Sequence, residues 1–236
     1  AKENNMPILK QLSAHLPPHW QAALRRLRCA WQIRHGTFVT DEPEFLRLAE
    51  WIRPGDWVVD VGANVGHYTK RFSELVGGTG RVVAFEPVPA TLAVLAANVQ
   101  LFAHPNVTLL NAAASDQTRE VGMAIPKFGT GLANYYEAQV TAPAENGWRV
   151  LALALDSLCL AHRVALVKID AEDHEAQDLA GMQQLLARDR PVLIVETGSR
   201  EIIADLTARG YTFEKLPGSP NILFRPAAGL AADRSS

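Results

Sequence analysis

Trp57-Val58-Val59-Asp60-Val61-Gly62-Ala63-Asn64-Val65-Gly66-His67-Tyr68 decides the fold of this chain. An apolar run meets a carboxylate, passes two glycines four residues apart and enters a segment with helical spacing, so it reads as strand, tight turn and helix. That is the layout of a cofactor-binding turn. The dinucleotide pattern G-x-G-x-x-G needs a bare second glycine so that the backbone can approach a pyrophosphate. Here Asn64 stands at that place and the next glycine comes one residue early. No Gly-Lys-Ser/Thr follows, which excludes the phosphate loop. Asp60 at the strand end would set a negative charge beside the ligand, disfavouring phosphates and favouring a cation. A ligand with an adenosine at one end and an amino acid ammonium at the other meets both conditions.

The rest of the composition narrows the setting. A chain of 236 residues, 48% hydrophobic and 20% charged, suits one α/β domain with an appendage and can bury a large core. Its formal net charge of -2 gives no global attraction to polyanions, so nucleic acid is not an expected partner. Cys29 and Cys159 lie far apart without metal-ligand spacing and read as free thiols in a reducing, cytoplasmic setting. The longest uncharged stretch, 87–115, is broken by polar residues and shows helical periodicity, so no transmembrane helix is expected. The first residues carry no apolar h-region, and no secretion signal is expected there.

Residues 1–50 form a separate helical extension in this reading. Leu9, Leu12 and Leu16 recur at helical spacing before Pro17-Pro18. From His19, Trp20, Ala23, Leu24, Leu27 and Trp31 alternate with Arg25, Arg26, Arg28 and Arg34, the pattern of an amphipathic helix. Packing on the catalytic domain is its plainest use; acceptor recognition, a homo-oligomer contact or an anionic surface are the others. Asp41-Glu42-Pro43-Glu44 opens a third helix with acids and Pro near its start.

Residues 51–226 alternate strands and helices, which argues for a doubly wound, mostly parallel α/β sheet. Strands are expected over 57–61, 81–86, 106–110, 148–154, 164–169 and 191–196, and helices over 65–76, 172–186 and 200–209. Segments 211–216 and 221–224 flank Pro217-Gly218-Ser219-Pro220 and read as a hairpin. Between 125 and 147 regularity fails over a length that suggests function, so this stretch is a candidate acceptor lid with Tyr135 and Tyr136. The residues from 227 have the composition of a frayed tail.

Acids at the ends of three strands carry the chemistry. Glu86 closes the second strand twenty residues after Gly66, where a carboxylate can accept both ribose hydroxyls. Asp170 follows an apolar strand, and Glu172, Asp173, His174 and Glu175 crowd the start of the next helix. Acids stabilise a helix N-terminus by about 0.3–1 kcal/mol each, but four in six positions exceed what capping requires. Strand carboxyl ends are where open α/β sheets place their sites. Glu196, ending the next strand, is a further acid/base candidate.

Asp60-Val61-Gly62-Ala63-Asn64-Val65-Gly66 resembles the first motif of the class I methyltransferases. Taken with Val167-Lys168-Ile169-Asp170-Ala171-Glu172-Asp173-His174-Glu175, it resembles the FkbM family of O-methyltransferases in particular. The resemblance implies a Rossmann-like seven-stranded sheet whose C-terminal antiparallel hairpin is the family's ending, and S-adenosyl-L-methionine as cofactor. It implies that Asp60, Gly62, Ala63, Asn64, Gly66, Glu86, Pro87 and Asp170 hold that cofactor. Asn111 and Ala112 would lie at the adenine edge. His174, Glu172 and Asp170 are the catalytic candidates for methyl transfer to a hydroxyl of a small molecule or carbohydrate. One departure stands out: the family's Asp-x-Glu-Gly-x-Glu has glycine where this chain has Asp173, which puts acceptor positioning in question. No metal is expected, because acids on one helical turn point in different directions. A dinucleotide oxidoreductase and a non-enzymatic binding domain are the rival readings; Asn64 and the hairpin disfavour the first, and the intact Asp60, Gly62, Gly66 and Glu86 the second.

Overall fold

The computed structural model describes residues 18–126, 138–143 and 148–227. The expected helix on Leu9, Leu12 and Leu16, most of the candidate lid with Tyr135 and Tyr136, and the tail after 227 lie outside the described residues.

Seven strands build the main sheet: β1 (Trp57–Val61), β2 (Arg81–Phe85), β3 (Val107–Leu110), β8 (Val164–Ile169), β9 (Val192–Glu196), β10 (Tyr211–Lys215) and β11 (Asn221–Pro226). Their order is β10-β11-β9-β8-β1-β2-β3. β3, β2, β1, β8 and β9 run parallel, whereas β11 pairs antiparallel with both β9 and β10. The chain therefore has the expected Rossmann-like α/β fold with a terminal antiparallel hairpin. Its central strands are apolar on both faces because helices cover both. Side chains of successive strand residues point to opposite faces. Val59 and Val61 pack with Leu179, Met182, Leu186 and Ile202 on one side. Val58 packs on the other with Phe72 and Val76 of α3 (His67–Val76) and with Phe45, Leu48 and Ile52.

The N-terminal part supplies α1 (Pro18–Arg34) and α2 (Pro43–Arg47), the latter continued by a 3-10 turn at Leu48–Glu50. Helix α4 (Pro89–Val99) follows β2, and α1 lies against it through Cys29, Ile33 and Val94. The acids expected at the start of α2 do more than sit near its N-terminus. Glu44 is buried and accepts hydrogen bonds from Ser219 Oγ at 2.9 Å, from Asn221 and from Tyr68, tying α2 to the terminal hairpin. Cys29 is buried and Cys159 exposed, both as free thiols.

Two features depart from the sequence reading. The 148–154 strand, observed as β7 (Trp148–Leu153), belongs to a second sheet with β4 (Ala112–Ala114), β5 (Arg119–Ala124) and β6 (Gln139–Thr141), in the order β4-β7-β5-β6. The single helix expected over 172–186 is two helices, α5 (Glu175–Ala180) and α6 (Gln183–Asp189). They break at Gly181, where a Cβ would stand 1.9 Å from the Ser115 carbonyl oxygen, so the chain there presses on the end of β4. The last helix, α7 (Arg200–Ala208), is capped by Ser199, whose hydroxyl accepts from the Ile202 N–H.

Candidate cofactor site

The turn after β1 is shaped by Gly62, whose φ of +74° lies in the left-handed region. A Cβ on it would stand 1.9 Å from the Asp170 carbonyl oxygen. Glycine thus lets the turn after β1 touch the turn after β8, and Asp170 N–H donates to Val61 O at 3.2 Å to close the contact. On the other flank, Glu86 directly follows β2. Its Oε2 accepts from the Asn64 N–H and its Oε1 from the Val88 N–H, each at 2.9 Å. The Asn111 side-chain amide donates to the carbonyl oxygens of Glu86 and Pro87 at 2.9 and 3.0 Å, fixing the bend that follows β2.

These turns enclose a cavity of about 180 Å³. Glu86 and Asn64 stand on the β2 side, Asp170, Glu172, His174 and Glu196 on the β8 side, with Gly62 between them. Val88, Ala112, Ala113 and Met123 form an apolar wall, and Met123 and Val140 come from the second sheet. That composition suits a flat ring, a diol and a cationic end in that order, so the residues present fit an adenosyl amino acid. Of the positions singled out in the sequence, Gly62, Asn64, Glu86, Pro87, Ala112, Asp170, Glu172 and His174 line the cavity. Asp60, Ala63, Gly66 and Asn111 do not; they shape or support its walls.

Asp60 shows why. It lies two residues from Val58 and so faces α3, where Thr69 Oγ1 donates to it at 2.6 Å. Its register partner across β1 and β8 is Lys168, also buried. Lys168 Nζ reaches Asp170 Oδ2 at 2.8 Å and sits 4.7 Å from the Tyr68 ring centroid. Burial pushes Asp60 up to about 6, held back by the Lys168 charge. Lys168 works against its own burial: Asp170 and then Asp60 carry its pKa above the ordinary value. A lysine inside Val164-Ala165-Leu166-Val167-Lys168-Ile169 was the available signal for this buried chain of charges, and the sequence reading passed over it. Glu86 is pushed up to about 7 by burial, against the two N–H donors. Burial and then the facing Asp170 charge raise Glu196 to about 7 as well.

His174 stands at the N-cap of α5, buried, with Nε2 3.0 Å from Ser115 Oγ. Ser115 Oγ donates to Asp116 Oδ1 at 2.9 Å, and Asp116 is held by Arg119 at 3.1 Å. Because the serine proton goes to Asp116, the imidazole proton belongs on Nε2, and Nδ1 is the ring's basic nitrogen. Burial lowers the His174 pKa; Asp116 pulls the other way and Arg119 adds to the fall. Glu172 and Asp173 have φ of 47° and 71°, so they form a left-handed turn before α5 rather than its first turn. Asp173, in the place of the family glycine, keeps a backbone that favours glycine and turns its side chain outward, 3.3 Å from Gln139 Nε2. Glu172 and Glu196 also line a second cavity of about 600 Å³, together with Asp173, Glu175, Ser199 and Lys215. Among the described residues no group of three or more His, Cys, Asp or Glu side chains is placed to hold a metal ion.

Helix α1 reaches this site too. Arg25 Nη2 donates to Asn64 Oδ1 at 3.2 Å, and the ring of His67, the first residue of α3, stacks on Phe38 with centroids 4.1 Å apart. The sequence marked Arg25 only as part of a polar face.

Residues 60–213 match the model of the methyltransferase FkbM domain family. A crystal structure of methyltransferase FkbM from Methylobacillus flagellatus KT superposes with a TM-score of 0.52 at 18% identity, covering 93% of this chain and 58% of that one. The chain thus spans rather more than half the length of that protein. Aeropyrum pernix fibrillarin with natively bound S-adenosyl-L-methionine gives a TM-score of 0.46 at 13% identity, over 74% of this chain and 67% of that one. Curated proteins gave no match. No helix among the described residues is long and apolar enough to cross a membrane.

Proposed function

The chain belongs to the FkbM methyltransferase domain family, and from that premise we propose that it transfers a methyl group from S-adenosyl-L-methionine to a hydroxyl oxygen of a small molecule or carbohydrate. One observation carries the reading. The β1 turn brings a ribose-type carboxylate, Glu86, and an acid/base cluster, Asp170 to His174, to a single cavity with an apolar wall between them.

S-adenosyl-L-methionine, when bound, supplies the electrophilic methyl group. Glu86, whose oxygens each accept one backbone N–H, would hold the ribose hydroxyls. The backbone at Gly62 and the Asp170 carboxylate would orient the amino acid end, and Lys168 keeps Asp170 in place. Val88, Ala113 and Met123 exclude water from the base. Carboxylates near a positive donor bind its ground state more than they speed its reaction, so rate comes from alignment of the acceptor hydroxyl. That hydroxyl is best placed at the wall shared by the two cavities, between Glu172 and Glu196. His174, neutral through burial and basic at Nδ1, takes its proton as the bond forms. Asp170 is a weaker candidate because accepting a proton would loosen its bond to Lys168.

The test is transfer of labelled methyl from S-adenosyl-L-methionine into fractionated extract of the source organism, comparing the intact chain with Glu86→Ala. A labelled product that depends on Glu86 and resists mild base, as an ether does and an ester does not, is expected. Absence of any Glu86-dependent product, or stabilisation by NAD and not by S-adenosylhomocysteine in a melting assay, would overturn the reading.

A further inference from the structure

Helix α1 has two apolar faces, and the described residues bury one. At 3.6 residues per turn, Cys29 and Ile33 share one side and Trp20, Leu24, Leu27 and Trp31 share the other. Cys29 and Ile33 are buried with Phe38, Val65 and Val94. The opposite stripe stays at the surface: Leu24, Leu27 and Trp31 are 45%, 68% and 56% exposed. Arg28 and Arg34, both exposed, border it on either side. Residues 18–40 contain Arg25, Arg26, Arg28 and Arg34 and no Asp or Glu, in a chain whose net charge is -2.

Charge decides what can cover this stripe. A second copy would set Arg28 and Arg34 of the two helices against each other with no carboxylate on either to offset them. An anionic lipid surface accommodates every part. Indole rings favour the headgroup level, leucines the acyl boundary, and guanidiniums the lipid phosphates. At 17 residues α1 is too short to span a bilayer and has the two-sided character of a helix lying on one. We propose that α1 docks the protein onto an anionic lipid surface through Leu24, Leu27 and Trp31, with Arg28 and Arg34 on phosphates. Docking does not depend on the methyl-transfer reading. It would, however, hold the cofactor turn beside the lipid, since Arg25 on the inner flank of the same helix bonds Asn64.

The experiment uses the full chain with vesicles of phosphatidylcholine alone and of phosphatidylcholine mixed with phosphatidylglycerol. Cosedimentation with the mixed vesicles only, reversed by high salt and accompanied by a blue shift of tryptophan emission, is expected. Leu27→Glu and the pair Arg28→Glu/Arg34→Glu should each weaken partition by about tenfold or more while leaving the circular dichroism melt in place, because all three positions are exposed. If Leu27→Glu fails to fold, the arginine pair carries the same comparison. Equal or absent binding to the two vesicle types would overturn the proposal. So would a concentration-dependent dimer, seen by sedimentation velocity without vesicles and abolished by Leu27→Glu.

Discussion

Glu86 carries two opposed demands. It is buried deeply enough that its pKa rises to about 7, yet two backbone N–H groups call for a charged acceptor, as would the ribose diol proposed for it. A carboxyl whose folded pKa lies above its unfolded value of 4.5 binds its proton more tightly in the folded state. Between these two values the folded protein holds more protons than the unfolded chain, so stability falls as pH rises through the window and levels off above it. The empty protein should therefore melt at lower temperature as pH goes from about 5 to about 8, and Glu86→Gln should flatten that slope. Affinity for S-adenosylhomocysteine should move the other way, tightening as Glu86 ionises. Glu86→Gln also leaves one of the two N–H donors facing an amide NH₂, which costs about 1–3 kcal/mol. Cofactor affinity should drop tenfold to a hundredfold in this variant, read by calorimetric titration. Unchanged affinity would remove Glu86 from the ribose role. Asp60, buried to a pKa of about 6, adds to the same slope without touching the cavity.

At the scale of elements, Gly181 links the helices after β8 to the second sheet. Its φ is ordinary; space alone forbids a side chain, with the Ser115 carbonyl oxygen 1.9 Å from where a Cβ would be. Gly181→Ala should cost about 1–3 kcal/mol through overpacking. Ser115 must shift, and with it the bond that fixes the His174 tautomer. The expected kinetic signature is a fall in kcat of tenfold or more with cofactor affinity nearly unchanged, because Glu86 lies on the far flank. A parallel loss of affinity would show that the damage is general. The break at Gly181 was hidden in the sequence, since Leu179, Met182, Leu185 and Leu186 keep helical spacing straight across it. The second sheet was hidden for a related reason. Its pairings, such as Val121 with Val150 and Met123 with Val140, join segments whose own alternation is weak. By contrast, the strand, turn and helix at 57–76 were legible because the signal is local: an apolar run, two glycines and a helix ended by Gly77-Gly78.

Over the whole molecule, the same contrast separates what could be read from what could not. Fold class followed from alternation of strands and helices, and the hairpin from Pro217-Gly218-Ser219-Pro220. The direction in which Asp60 points could not be read, because β1 is apolar on both faces and offers no parity to count from. Long-range ties were equally invisible, Glu44 above all. Its carboxylate gathers Tyr68, Ser219 and Asn221, joining α2, α3 and the terminal hairpin. Glu44→Ala would leave Ser219 Oγ without its acceptor, while Tyr68 and Asn221 keep Glu42 as theirs. A loss of about 1–3 kcal/mol is expected, with hydrogen exchange faster in β11 as well as in α2. If only α2 exchanges faster, the tie is local. β11 adds a constraint on time. It is the latest of the described strands in chain order, yet it lies inside the sheet, between β9 and β10. During synthesis β9 must wait with an open edge and β10 without a neighbour until residues 221–226 leave the ribosome. The sheet therefore closes only after this segment is translated, when β11 pairs with β10 as a hairpin and with β9 beside it. A nascent chain stalled before Asn221 should be a substrate for chaperones and resist none of the proteases that the finished domain withstands.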